Sequence, residues 1–482
     1  IASIDLSSNP DLTTLNCKVN NLTAIDLSNN PLLQLIDINY NDLTTIDISN
    51  NPELTTLTAY SNKLEYVNMK NGNATNSILD LRENNDLAYV CIDLEERDYI
   101  QERVDSFGYT NCVINSFCTF VPGGEVYYIQ GNVKVDINQN GCDENDLGFP
   151  FMQLRVEDTE GNFGIYSTGI EGDYDIAVPE GSYNITYQFP YSTYFDVTPP
   201  SFSVDFPTES SPFAQDICLT PNGTYNDLQV TILPTIEARP GFDANYKLIY
   251  ANVGTMPLSG DVLLNFEDDV LDFVSASTNP DSQNTGSLSW SFTGLAPLEY
   301  RTIDLVMNLN SPTETPPLNG GEILCYDVSI SPSTNDHVPS DNDFSLKQTV
   351  VNSYDPNDKT CLEGNIITPD LVGEYVHYLI RFENTGTVSA INVVVRDVID
   401  TNQFDMSSFV PLDSSHDFVT RIQNQNEIEF IFEGIELPFD DANNDGYILF
   451  KIKTLPTLEL GDTFENSAEI YFDFNFPIIS NV

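Results

Sequence analysis

The sequence predicts a mainly β chain: an N-terminal solenoid of short leucine-patterned repeats, a helical cap, then three tandem β-sandwich domains. Three observations predict it. Leucines and asparagines recur at a fixed spacing through the first ninety residues. One amphipathic helical stretch follows them directly. Beyond it, short runs of alternating apolar residues, broken by Gly, Pro, Asn and Asp, continue to the C-terminus. At 482 residues the chain has room for several cores. The texture places boundaries at 1–90 (repeats), 91–121 (cap), 122–221, 222–352 and 353–482 (sandwiches).

In the repeats, Leu12, Leu33 and Leu54 align at a shift of 21, as do Leu15, Ile36 and Leu57, Cys17, Ile38 and Ala59, and Asn20, Asn41 and Asn62. The second half of each unit repeats as "AIDLSNNP", "TIDISNNP" and "YVNMKNGN". This is the leucine-rich repeat pattern LxxLxCxxNxL, in which Leu positions stack into a core and each Asn turns its amide inward to satisfy the bend. The unit resembles the 21-residue repeats of internalin J-like proteins, whose inward position is often Cys, as at Cys17. Asn9 falls on the same ladder, so the sequence is expected to enter the solenoid partway through. The concave strands then present Asn16, Lys18, Asp37, Asn39, Thr58 and Tyr60, a surface suited to a protein or glycan ligand.

A solenoid needs its last apolar layer covered. "CIDLEERDYIQERVDSFGYTNC" supplies a helix with Leu94, Ile100, Val104 and Phe107 on one face, and a disulfide between the flanking Cys91 and Cys112 is expected to brace it.

From 122 to 221, "YYIQGNVKVDI", "FMQLRVED", "DYDIAVP" and "GSYNITYQF" read as sandwich strands. The hairpin "GDYDIAVPEGSYNI" resembles the prealbumin-like and Cna-B-like sandwiches of bacterial surface proteins, a class that serves mainly as a spacer. Its first strand runs into "DINQNGCDEND". Asp136, Asn138 and Asn140 occupy positions 1, 3 and 5 of a calcium loop, Gly141 permits the turn, and the Cys142 carbonyl takes position 7. Asp146 stands at position 11, one short of the expected acid, with Asp143 as a substitute; Asx-turns are the alternative account of the same residues. The loop is expected to hold a structural Ca2+ that rigidifies the module, with Cys142 bonded to Cys218 on the last strand.

The second and third sandwiches each carry an N-x-G-T corner, in "YANVGT" and "RFENTGT", that resembles immunoglobulin-like repeats of bacterial cell-surface proteins. "SYDPNDKTCLEG", "RFENTGT" and "EIYFDFNFPIISN" resemble the uncharacterised domain that, in Bacteroidetes bacteria, lies just ahead of the sorting domain in cargo of the type IX secretion system. That resemblance implies export across the outer membrane and display on, or release from, the cell surface. It implies no reaction. Two further acidic stretches are weighed for calcium: Asp441, Asn443 and Asp445 before Gly446, with a hairpin turn as the alternative, and Asp355, Asn357 and Asp358 at the junction of the last two domains, with a rigid linker as the alternative.

Eighteen Lys and Arg against 73 Asp and Glu give a net charge of −55, which repels nucleic acid and anionic lipid. No apolar run is long enough to span a membrane. Among eight Cys, Cys118, Cys325 and Cys361 find no partner by sequence, and Cys17 reads as a free core thiol. Catalytic motifs are absent. Of three His, His416 lies beside Ser414, Ser415 and Asp417, but adjacent residues seldom form a triad. The expectation is a non-enzymatic, secreted adhesion or binding protein whose repeats are held out on a rod of calcium-stiffened sandwiches. The alternative is a structural or accessory subunit of an outer-membrane cell-surface or type IX secretion assembly.

Overall fold

A computed structural model describes residues 1–73, 78–333, 335–352, 357–440 and 443–482. The chain is mainly β, with one eleven-residue α-helix among the described residues.

The repeats form two parallel ladders of three-residue strands. One joins β1 (Thr14–Asn16), β2 (Leu35–Asp37), β4 (Thr56–Thr58) and β6 (Ile78–Asp80); the other joins β3 (Thr45–Asp47), β5 (Tyr66–Asn68), β7 (Tyr89–Cys91) and β8 (Val113–Asn115). With only three residues per strand, the middle side chain points inward and the flanking two point out. Leu15, Ile36, Leu57 and Leu79 from one ladder and Ile46, Val67, Val90 and Ile114 from the other fill one shared core. The bends between rungs are satisfied by asparagine. Asn41 accepts from the Leu22 amide at 3.0 Å and donates to the carbonyls of Cys17 (3.1 Å) and Ile38 (3.0 Å); Asn62 and Asn84 repeat the arrangement. A second asparagine row, Asn30, Asn51 and Asn71, donates side-chain N–H groups to backbone carbonyls behind the other ladder.

The helix α1 (Arg97–Phe107) closes the stack. Ile100 and Val104 are buried in the repeat core, and Gly108 ends the helix at φ 86°, a left-handed cap that favours glycine. The disulfide here corrects the sequence expectation: Cys91 bonds to Cys118, and Cys112 is a free, buried thiol. Side-chain parity explains it. On β7 the middle residue Val90 enters the repeat core, so Cys91 points to the opposite side, where it meets Tyr89, Val113 and Cys118. Cys112 lies in the repeat core with Ile114, across the sheet from Cys91.

Three sandwich regions follow, but they do not extend as a rod. Strand Phe163–Ser167 of the first pairs antiparallel with Val419–Gln423 of the last, Ile165 opposite Ile422 and Tyr166 opposite Arg421. Through that pairing, strands of both regions merge into one nine-stranded sheet. Phe151 stacks on Phe418 at 5.1 Å, the Ser167 hydroxyl accepts from the Thr420 amide at 2.8 Å, and Gln153 donates to the Phe409 carbonyl at 2.8 Å. The middle sandwich shares its core with Leu362, Leu379 and Leu449 of the last. The repeats close the arrangement: Phe474, near the C-terminus, packs 4.9 Å from Tyr89, and Phe117 meets Tyr471 at 5.0 Å. The chain therefore folds back on itself, because the edge strand at 163–167 finds its neighbour in the last domain instead of staying solvated.

Candidate recognition face and loop sites

The two ladders are used differently. Outside the β3–β5–β7–β8 ladder, Tyr66 stacks on Tyr89 at 5.7 Å, and both lie against Phe474. Nearby, the Lys70 ammonium is buried and donates to the carbonyls of Ser116 (2.9 Å) and Thr119 (2.8 Å); burial pulls its pKa down to about 8. This side is an internal surface.

The β1–β2–β4–β6 ladder faces solvent. Asn16, Asp37 and Thr58 end its strands, and Lys18, Asn39 and Tyr60 follow two residues beyond them. Lys18 reaches the Asp37 carboxylate at 3.1 Å, Asn16 lies 3.4 Å from the same oxygen, Asn39 accepts from the Tyr60 amide at 2.7 Å, and Thr58 donates to the Ile36 carbonyl at 3.4 Å. The row continues through residues sequence reasoning did not include. Asp80 holds Arg82 in a two-point contact (2.8 and 2.6 Å), and the guanidinium stands 5.5 Å from the Tyr60 ring. Tyr40 meets Tyr60 edge-on at 5.2 Å and is 52% exposed. Glu83 beside the Tyr60 hydroxyl holds that phenol up at about 12, so it stays a neutral donor. The signal for Asp80 and Arg82 was present but displaced: Thr58 pairs with Asp80, a 22-residue step that a search at a shift of 21 passes over. The result is a strip of alternating acid, base and aromatic groups across four rungs.

The 136–146 loop is tied to backbone. Asp136 is 3% exposed, and its two oxygens accept the amides of Asn140 (3.0 Å) and Gly141 (2.9 Å), while Asn138 accepts from the same Asn140 amide at 3.0 Å. Asp136 and Asn138 thus converge on the Asn140 amide. Asp146 instead accepts the Asp143 amide at 2.7 Å, and the Asp143 carbonyl takes the Lys134 ammonium at 2.6 Å. Cys142 is bonded to Cys218, fastening the loop to the sheet. Of the second acidic stretch, Asp441 lies outside the described residues; Asn443 donates to Asp440 at 2.9 Å, and Asp445 opens the strand Asp445–Thr454. At the domain junction Asp355 also lies outside the described residues, and both Asp358 oxygens are taken by the Arg381 guanidinium, at 2.6 and 2.7 Å.

The Ser415 hydroxyl lies 2.8 Å from His416 Nδ1, yet it also accepts the Tyr447 amide at 2.8 Å, which pins it to the neighbouring strand. Burial lowers the pKa of His416. Trp290 is buried in the middle sandwich, its indole N–H donating to the Thr278 carbonyl at 2.9 Å. No described helix is long and apolar enough to cross a membrane.

Residues 355–482 match a family described as a domain of unknown function (DUF7619), about the last quarter of the chain. No curated protein matches the sequence. Many solved structures are similar to parts of the chain. A DUF3823 family protein from Parabacteroides merdae is 12% identical, over 47% of this chain and 98% of that one, with a TM-score of 0.19. BcpA, the major pilin subunit of Bacillus cereus, is 8% identical over 72% and 87%, with a TM-score of 0.20. The collagen adhesin of S. aureus is 13% identical over 52% and 87%, with a TM-score of 0.18. At these scores the likenesses carry no functional argument.

Proposed function

We propose that the chain is a secreted, cell-surface binding protein of the adhesion type, in which a leucine-rich-repeat solenoid presents the strip from Asn16 and Lys18 to Arg82 to a protein or glycan ligand. The observation that carries this reading is the unequal use of the two ladders. One is covered by the chain's own Phe474, whereas the other keeps charged and aromatic groups exposed in register. The sandwiches support the solenoid from one side and have no catalytic part in this reading. A structural Ca2+ in the 136–146 loop, on Asp136, Asn138 and Asn140, belongs to it, as does export as Bacteroidetes type IX cargo; a lesser calcium site at Asn443 and Asp445 is the weakest member.

The test probes a glycan array and immobilised extracellular-matrix proteins with the wild-type chain and with Tyr60→Ala and Asp37→Lys variants. Binding by the wild type that falls at least tenfold in both variants supports the reading. Undiminished binding in the variants sinks it.

The second reading is an accessory subunit that docks a fixed outer-membrane or secretion-system partner. The folded-back arrangement favours it, since the chain gains little reach, and Phe476 and Ile479 stand 52% and 65% exposed near the C-terminus. A stoichiometric outer-membrane partner that survives washing would decide for it.

A further inference from the structure

Three carboxylates stand where the three sandwiches meet. Asp227 precedes the strand Leu228–Pro234, and Asp336 and Asp341 lie between the strands Ile323–Ser331 and Asp343–Thr349. One oxygen from each lies within 4.8 Å of the other two. The first sandwich contributes Tyr194, whose hydroxyl donates to Asp227 Oδ2, and the last contributes Lys451.

Several of these oxygens are already engaged. Asp336 accepts the amides of Leu228 (2.9 Å) and Val338 (3.0 Å) and the side-chain N–H of Asn342 (3.3 Å). Others are left over. Asp227 and Asn342 are each 1% exposed, yet Asp227 Oδ1 and Asn342 Oδ1 accept no hydrogen bond among the described residues, and neither does Asp341 Oδ1. Buried oxygens without donors are costly, and three carboxylates this close repel one another. The nearby cation is Lys451, which donates to Gln229 at 3.3 Å and whose charge acts on Asp227 and Asp341.

We infer that Asp227, Asp336, Asp341 and the Asn342 amide oxygen form a binding site for one divalent cation. The donors are all oxygens, three of them anionic, which suits a hard ion, and a mix of carboxylate and amide oxygens in irregular placement fits calcium better than the rigid octahedron of magnesium. Such an ion offsets the repulsion among the carboxylates and supplies the partner the orphaned oxygens lack. It also clamps the start of the middle sandwich to its 336–342 loop, beside contacts from the other two. The site is separate from the 136–146 loop and independent of the recognition reading.

Tyrosine makes it testable: Tyr194 is hydrogen-bonded to Asp227, and Tyr225 stacks on Tyr194 at 4.6 Å, so terbium bound there is sensitised by tyrosine excitation. The chelator-treated full chain is titrated with terbium, then with calcium as competitor. The expected result is sensitised emission that calcium displaces, retained in Asp136→Asn and at least tenfold weaker in Asp341→Asn and Asp227→Asn. Equal affinity in those two variants and the wild type overturns the site. Should circular dichroism show either variant unfolded, wild-type crystals soaked in terbium decide: an anomalous peak between Asp227 and Asp341 upholds the site, and its absence there overturns it.

Discussion

Lys359 and Asp397 form an ion pair with side-chain exposures of 1% and 0%, inside the last sandwich. They come from the strands Lys359–Cys361 and Val393–Val398. Around the ammonium are aromatic faces, Tyr378 at 4.8 Å and Phe450 at 5.6 Å from the ring centroids, and Asp397 Oδ1 has no donor among the described residues. Burial pulls the Lys359 pKa down, and Asp397 opposes that pull. Each charge is therefore tolerated only because of the other. Replacing Asp397 by Asn keeps the shape and strands the ammonium, and such losses cost about 3–5 kcal/mol, a large share of the roughly 5–15 kcal/mol of a typical domain. Replacing both residues, Lys359→Met with Asp397→Leu, removes both desolvation penalties and is expected to fall within about 1 kcal/mol of wild type or above it. Urea unfolding followed by Trp290 fluorescence measures this, because the Trp290 core includes Leu379 and Leu449 of the last sandwich. An Asp397→Asn variant that loses less than about 1 kcal/mol would refute the reasoning, since the pair would then have to be solvated.

Other outcomes follow from the same kind of argument. Lys70 has a folded pKa of about 8 against the ordinary lysine value of 10.5, with burial the main cause, Arg421 adding to it, and Asp93, Glu429 and Glu95 opposing. The folded state thus releases its proton first, so stability contributed by this group rises as pH climbs from about 8 to 10.5, by about 3 kcal/mol in all at roughly 1.4 kcal/mol per unit. Thermal midpoints from pH 7 to 10.5 should show that rise in wild type relative to Lys70→Met; parallel profiles would remove it. Peptide mapping without reduction should link Cys91 to Cys118, and Cys118→Ser should cost about 2–4 kcal/mol where Cys112→Ala costs less; a 91–112 link would reverse the assignment. Calcium at the 136–146 loop predicts that EDTA lowers the melting temperature and that Asp136→Asn shrinks the drop, with about 3 kcal/mol at stake for ligand at a hundredfold its Kd. An EDTA drop of the same size in Asp136→Asn removes calcium from that loop.

What was legible in the sequence follows physical range. The inward Asn row at 20, 41 and 62 announces itself because an asparagine must bridge neighbouring rungs at a fixed step, so position alone carries the signal. The last rung slips by one residue, and Asp80 and Arg82 went with it. Cys91 and Cys112 bracket the helix and look paired along the chain, but a pair of thiols must share a side of the sheet, and in a three-residue strand one position of offset reverses the side. Asp136 and Asn138 of the 136–146 loop converge on the Asn140 amide, whereas Asp146 was captured locally by the Asp143 amide.

The fold-back was beyond that range. Nothing local in "FGIYS" says that Ile165 will lie opposite Ile422, since the choice depends on which free edge is nearest once both sandwiches exist. A trace of it is visible: the strand carries no Lys, Pro or charge to blunt its edge, the usual defence of an edge strand that stays exposed. Phe474 and Tyr471 carry a similar trace, as aromatic residues in a C-terminal stretch that would otherwise be solvated. The carboxylate cluster was out of range for a related reason. Asp227 is separated from Asp336 and Asp341 by most strands of the middle sandwich, which brings them together as it folds, and Tyr194 and Lys451 arrive from the first and last regions. An ion bound there would clamp the two ends of the middle sandwich, so the stability of that sandwich should rise with calcium concentration.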